Sequence, residues 1–212
     1  MSQDRLTFYT NPQSRGRIVR WMLEEAGAPY DTVLLDYAST MKAPEYLAIN
    51  PMGKVPTLRH GDTVVTEVAA ICAYLADAFP QAGLAPESTS RLRGPYYRWL
   101  FFAAGPVEAA VSNKALGFVV PPGRERMIGY GTFAEVMDTL EGAVSQGDYL
   151  LGDQFSAADV YLGSHLGFGM QFGTIARRPA FEHYWARLSA RPAAVRAREM
   201  DDALIPKPPA AA

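Results

Sequence analysis

Three positions in this 212-residue chain combine residue type and spacing in a way that could grip and activate a small ligand. Glu67 stands where a short run of strand-forming residues, Thr63-Val64-Val65-Thr66, gives way to a helix whose apolar positions Val68, Ile71, Cys72 and Leu75 recur at helical spacing. A helix fed by a hairpin leaves its first N–H groups without intrahelical partners, and both those groups and the helix dipole favour a carboxylate. Val55 precedes Pro56 and is therefore extended, so its N–H and C=O could pair with a peptide-like ligand. Ser14 closes the polar turn Thr10-Asn11-Pro12-Gln13-Ser14 as the candidate N-cap of a following helix. A hydroxyl there, with the positive helix end behind it, could donate to a thiol, lower its pKa and hold the thiolate; the plainer reading of Ser14 is a cap alone. Together these features suit a small, acidic, peptide-shaped molecule.

The elements that position them follow from periodicity. Leu6-Thr7-Phe8-Tyr9 reads as a strand, then a helix carries Ile18, Val19, Met22, Leu23 and Ala26 on one face and stops at Gly27. Thr32-Val33-Leu34-Leu35 is a second strand, and strand–helix–strand crosses over into a parallel pair. Lys42 to Leu47 forms a short irregular helix ahead of the Asn50-Pro51-Met52-Gly53 turn, and His60-Gly61-Asp62 turns a hairpin. Ligands of open α/β sheets bind beyond the carboxyl ends of strands, which sets the Tyr9 to Ser14 turn on the same edge as Val55 and Glu67.

The Pro/Gly-rich stretch around Phe79 to Ser90 separates this region from one with helical period only, giving residues 1–80, a linker at 81–90, and an all-α domain over 91–212. Arg91 to Ala115 is long, aromatic and kinked at Gly105-Pro106; Pro121-Pro122-Gly123 breaks the chain, and Arg124 to Val144 is expected as one helix. Ser156 and Asp159 form a capping-box pair ahead of a buried helix, Arg178-Pro179 and Arg191-Pro192 open two more, and the tail Ile205 to Ala212 is expected to be unstructured or draped.

Composition narrows the function. A net charge of -2 argues against a nucleic-acid surface or a polybasic membrane patch. No apolar run approaches the roughly 18–20 residues of a membrane span, and the polar start Met1-Ser2-Gln3-Asp4-Arg5 is no signal peptide. The single cysteine, Cys72, excludes a disulfide framework and dithiol exchange, fits a reducing cytoplasm, and reads as a small core residue. His60, His165 and His183 share no ligand-like spacing, so no metal is expected.

The Asn50-Pro51-Met52-Gly53-Lys54-Val55-Pro56 entry, with Glu67 ahead of Ala70-Ile71 and Tyr74-Leu75, resembles the glutathione-binding half of a cytosolic glutathione transferase of bacterial kind. The resemblance extends over nearly the whole chain. It implies an N-terminal thioredoxin-like α/β domain followed by an α-helical bundle domain, a cytoplasmic homodimer with a role in detoxification, glutathione as co-substrate without metal, and a small hydrophobic electrophile as partner. Glu67 and Val68 occupy the family's Glu/Gln-Ser pair for the γ-glutamyl end: Glu67 would take the ammonium, and Val68, lacking the hydroxyl, only the carboxylate through its N–H. A missing hydrogen bond to a charged group costs about 1.5–3 kcal/mol, so glutathione is expected to bind weakly unless Thr66 or another group compensates. Val55 would pair with the cysteinyl backbone, the Val55–Pro56 bond would be cis, and Lys42 and Lys54 would meet the glycyl carboxylate.

The family's sulfur-activating Ser, Tyr or Cys lies in the first turn. Counted back from Leu23-Glu24-Glu25, the usual serine position falls on Gln13 and the beta-class cysteine position on Arg15. Ser14 is the first candidate, with Tyr9, Asn11 and Arg15 open. Tyr96, Trp99 and Phe102 would line the electrophile pocket with Phe118, although aromatics so spaced also read as core. The implied activity is thiolate attack on an electrophilic carbon. Two rivals are a non-catalytic glutathione-binding or regulatory module with a decayed site, and a glutathione-dependent isomerase or disulfide-bond reductase.

Overall fold

The computed structural model describes residues 5–205, so the polar start through Asp4 and the tail beyond Ile205 lie outside the described residues. Alternation builds the first strand, β1 (Leu6–Thr10): Leu6, Phe8 and Thr10 are buried while Thr7 and Tyr9 are half-buried on the other face. The helix α1 (Gly16–Ala26) buries Ile18, Val19, Met22 and Leu23 and ends at Gly27, whose φ of 62° is the left-handed cap that glycine adopts without steric cost. Strand β2 (Tyr30–Leu34) pairs parallel to β1 from Leu6 opposite Tyr30 to Thr10 opposite Leu34, and so begins earlier than its apolar run suggests. A 3-10 turn (Thr40–Lys42) and the one-turn helix α2 (Pro44–Leu47) follow.

The hairpin β3 (Thr57–His60) and β4 (Thr63–Thr66) adds antiparallel to β1, giving the sheet order β2-β1-β3-β4, and leads into α3 (Val68–Ala78). Leu6, Phe8, Val19, Met22, Leu58, Ile71 and Leu75 are fully buried, so the sheet's core face is covered by α1 and α3. This is a thioredoxin-like domain. Tyr9 stands opposite Thr57, and Thr57 opposite Thr66. The carboxyl end of β1, the entry to β3 and the exit of β4 therefore meet at one sheet edge.

The packing groups residues up to 82 with those from 191 onward, and residues 83–190 as a second unit. In the first unit, α9 (Pro192–Ala203) lies along α1 through paired charges, the arginines early in α1 meeting acids late in α9 and the acids late in α1 meeting arginines at and near the start of α9. Arg20 meets Asp201 at 2.7 Å with both side chains buried, Arg191 grips Glu25 at 2.7 and 2.8 Å, Arg196 reaches Glu24 at 3.2 Å, and Arg17 pairs with Asp202.

The second unit is helical. Helix α4 (Arg93–Phe102) continues through a π-helical turn (Ala103–Val107) into α5 (Glu108–Ala115). At the position expected to kink, the structure has this π-turn, which contains Pro106 and its missing N–H. The expected helix over Arg124 to Val144 is corrected: a 3-10 turn spans Glu125–Met127, and α6 covers Phe133–Val144 only. Gly131, at φ 65°, breaks the backbone there, and Thr132 with Glu135 forms a capping box that starts α6 afresh. In α7 (Ala157–Phe172), Asp159 accepts from the Ser156 N–H at 2.9 Å, the Leu150 N–H at 2.8 Å and the Tyr184 hydroxyl at 2.7 Å, which ties a loop and α8 (Pro179–Ser189) to the helix start. Among the described residues no helix is long and apolar enough to cross a membrane.

Candidate active site

The bend ahead of β3 supplies an unpaired stretch of backbone. Among the described residues neither the N–H nor the C=O of half-buried Val55 has a hydrogen-bond partner, and the Val55–Pro56 bond is cis, as the resemblance implied. The neighbouring Lys54 carbonyl is held twice, by the Tyr46 hydroxyl at 2.5 Å and the Asn50 amide at 2.9 Å. Both donors also reach the Thr57 hydroxyl, at 2.8 and 3.1 Å. Burial in this network pushes the Tyr46 phenol above its ordinary pKa. Tyr46 and Asn50 carry no signal in the sequence as site residues; only the Asn-Pro turn marks their neighbourhood.

Glu67 lies just past β4, exposed, with φ 65° and ψ 122°; among the described residues it is the one non-glycine with positive φ. A conformation of that kind costs on the order of 1–3 kcal/mol and persists where surrounding structure demands it. Here it turns the chain sharply from strand into helix. The Ile71 N–H to Glu67 carbonyl bond at 2.9 Å leaves the N–H groups of Val68, Ala69 and Ala70 ahead of the α3 ladder, and no side chain caps them. The Val68 side chain is buried, so its contribution to a ligand is its backbone.

In the turn after β1, α1 starts one residue later than expected, with Arg15 at the N-cap position. Ser14 belongs instead to a turn closed by its own N–H to the Asn11 carbonyl at 3.1 Å. Its half-exposed hydroxyl donates to that carbonyl at 2.6 Å and accepts the Gly16 N–H at 2.9 Å. The Asn11 amide is spent on the Leu35 carbonyl at 2.8 Å, and its oxygen takes the Gln13 N–H at 2.9 Å. The Tyr9 ring packs against Tyr46 at 5.7 Å beside Leu35 and Met41, while Arg15 is exposed. Gly16 is dictated by close approach: a Cβ there would stand 1.9 Å from the buried Thr10 hydroxyl. Lys42 directs its ammonium at the Gly53 carbonyl (2.7 Å) and the Met52 carbonyl (3.3 Å), and Lys54 is exposed beside Val55.

One edge of the first unit therefore brings together Ser14, Val55, Pro56, Glu67 and Val68. Cys72 is fully buried in α3 and burial raises its thiol pKa, so it is a core residue. In the second unit, Tyr96 and Trp99 are buried, Phe102 is half-buried edge-on to Trp99 at 5.6 Å, and Phe118 is exposed in the loop after α5. Phe102 and Phe118 thus keep surface that a ligand could meet. Among the described residues no group of three or more His, Cys, Asp or Glu could hold a metal.

A family model described as glutathione S-transferase, N-terminal domain, matches residues 14–78, and one described as glutathione S-transferase, C-terminal domain, matches residues 108–168. Glutathione S-transferase F10 of Arabidopsis thaliana is 32% identical over 189 residues, spanning 81% of this chain and 86% of the relative. A glutathione transferase structure from Methylococcus capsulatus superposes with a TM-score of 0.77 at 29% identity, covering 94% of this chain and 100% of that one. A glutathione transferase homolog from Sulfitobacter, solved with bound glutathione, gives a TM-score of 0.75 at 29% identity over 94% of this chain and 99% of that one. Sequence identity sustained along most of both chains, joined to matches at both domains, leaves no other assignment: the chain belongs to the glutathione S-transferase family.

Proposed function

We propose that the protein is a glutathione transferase that attacks a small hydrophobic electrophile with the glutathione thiolate. The observation that carries this reading is the pairing, at one sheet edge, of Val55, whose backbone has no hydrogen-bond partner, with the uncapped start of α3 after Glu67. In the bound complex Glu67 takes the γ-glutamyl ammonium and the Val68 N–H takes the adjoining carboxylate. Val55 pairs with the cysteinyl backbone, and Lys54 meets the glycyl carboxylate. Lys42 assists with the one ammonium hydrogen that its two carbonyl contacts leave over.

The sulfur then sits over the turn after β1, where Ser14 is the activating residue. Rotation about its Cβ–Oγ bond swings the hydroxyl hydrogen from the Asn11 carbonyl to sulfur. Asn11, which gives one amide hydrogen to the Leu35 carbonyl, and Tyr9, whose ring packs against Tyr46, stay as the alternatives. The thiolate forms a bond to carbon and the leaving group departs with its electron pair; proximity and thiolate stabilisation supply the rate. Phe102, with Trp99 edge-on against it, Phe118 and the buried Tyr96 contribute the apolar residues for the electrophile. The working unit is a cytoplasmic homodimer of bacterial type engaged in detoxification, with residues 1–80 binding glutathione and residues 91–212 serving the electrophile.

Calorimetric titration with glutathione and conjugation of a generic aryl halide test the reading together. Saturable heat and conjugation are expected; no heat up to millimolar ligand and no conjugation would leave a non-catalytic module of the same fold. Turnover of disulfides in place of aryl halides would move the assignment to a reductase. Ser14→Ala is expected to lower kcat by roughly 10- to 100-fold, the worth of one hydrogen bond to a charged atom, with glutathione affinity kept. An unchanged kcat would return the role to Arg15, Asn11 or Tyr9.

A further inference from the structure

We propose that Tyr46 is a positioning residue for glutathione: its hydroxyl holds the Lys54 carbonyl inward and so aims the Val55 N–H at the ligand. The inference rests on the reading of Val55 given above. A trans peptide unit is one rigid plane in which C=O and N–H point in opposite directions. Among the described residues the only cis bond is Val55–Pro56, so the Lys54 carbonyl and the Val55 N–H belong to such a trans unit. Whatever fixes the carbonyl on one side fixes the N–H on the other.

The carbonyl is fixed from within. Tyr46 is 3% exposed, its ring lodged with Leu35 and Met41 and against Tyr9 at 5.7 Å. Its hydroxyl has little freedom and meets the Lys54 carbonyl at 2.5 Å, with the Asn50 amide on the same oxygen at 2.9 Å. The phenol's single hydrogen goes to Lys54, so the Thr57 hydroxyl donates to the phenol oxygen at 2.8 Å and itself accepts from Asn50 at 3.1 Å. This closed set leaves no group to draw the Val55 N–H back into the protein. Thr57 is also the β3 residue opposite Thr66, immediately before Glu67, so the same ring of bonds sets the Val55 edge relative to the start of α3. Without the phenol oxygen the Lys54 carbonyl keeps only Asn50, and the peptide plane is free to rock.

Tyr46→Phe removes that one atom and keeps the ring. The expected result is a rise of about five- to ten-fold in the glutathione dissociation constant and KM, one hydrogen bond's worth, with kcat at saturating glutathione held within about two-fold. S-methylglutathione, which has no thiol, should weaken by the same factor, because the grip is on backbone. Ser14→Ala should leave S-methylglutathione binding unchanged, which separates positioning from sulfur activation. Asn50→Ala removes the second donor to the same carbonyl and should act in the same direction on both ligands, which keeps the test open should Tyr46→Phe fold poorly. Unchanged affinity in both variants, or a fall in kcat with affinity intact, overturns the role of Tyr46. A wild-type protein that binds neither glutathione nor S-methylglutathione overturns the glutathione reading itself.

Discussion

At the scale of single residues, Val68 poses the sharpest question, because two opposite effects meet there. The isopropyl group is 8% exposed, so replacing it with serine gives up apolar burial worth about 1–2 kcal/mol. The new hydroxyl sits at the uncapped start of α3, where a bond to a bound carboxylate is worth about 1.5–3 kcal/mol. The two act on different observables. Val68→Ser should lower the urea midpoint yet tighten glutathione by roughly ten-fold, the lower end of that range. Calorimetry beside a denaturation curve reads both, and unchanged affinity would mean that no carboxylate lies at this helix start. Val55 and Glu67 are legible as candidate site residues because local rules name them: a pre-proline residue is kept out of helix, and a hairpin that becomes a helix exposes amides. Tyr46 was not, since an aromatic in a short helix reads as filler. Its hydroxyl works on a carbonyl eight residues along the chain, a separation that no helical or strand period records. Ser14 was legible as a hydroxyl at a helix start, but not as one whose hydrogen is already given to Asn11.

At the scale of elements, capping decides where helices begin, and Asp159 shows how much can hang on one cap. Its carboxylate takes the Ser156 N–H and hydroxyl, the Leu150 N–H and the Tyr184 hydroxyl, all in the interior. Burial pushes its pKa up against the pull of these donors. Truncation would leave several buried donors unpaired, each costing about 1–3 kcal/mol. Asp159→Ala should therefore destabilise by about 3 kcal/mol or more, read as a lower urea midpoint. Asp138→Ala, which breaks an exposed pair with Arg178, should stay within about 0.5 kcal/mol. A small effect of Asp159→Ala would sink the idea that this carboxylate knits loop and helices together. The Ser156–Asp159 signal was readable because both partners lie three residues apart. The α6 start differs from the expected Arg124 because the proline-glycine break at 121–123 marks a chain break but not the cap, which Thr132 and Glu135 form. Gly131 and its positive φ, ahead of the cap, moved the start to Phe133. The partnership of α9 with α1 was invisible, because charges paired across that much intervening chain leave no local pattern.

At the scale of the whole molecule, the proposed homodimer needs a face that a second copy can enter, and a cleft in the helical unit is the candidate to test. A cleft of about 490 Å³ lies between α4 and α6, lined by apolar and small residues such as Leu92, Trp99, Gly142 and Ala143 but also by the charged Arg98 and Asp138, with Tyr97 and Phe101 exposed on α4. Small residues on α6 leave its floor open to close approach. Gly142 allows a clean test, since a Cβ built there meets nothing within 4 Å in the single chain. Glycine inside a helix costs about 0.8–1 kcal/mol relative to good helix formers, so Gly142→Arg should leave the subunit as stable as before or slightly more so. The guanidinium and its stem would nonetheless occupy the cleft and add bulk and a further positive charge beside Arg98 in any contact made through it. Light scattering on a sizing column should then give twice the chain mass for the wild type and a single chain for the variant. The melting temperature at low protein concentration should be unchanged or higher. A Gly142→Arg protein that still dimerises would move the interface away from this cleft. A wild type that is monomeric would remove the homodimer while leaving the glutathione site, built within one chain, untouched.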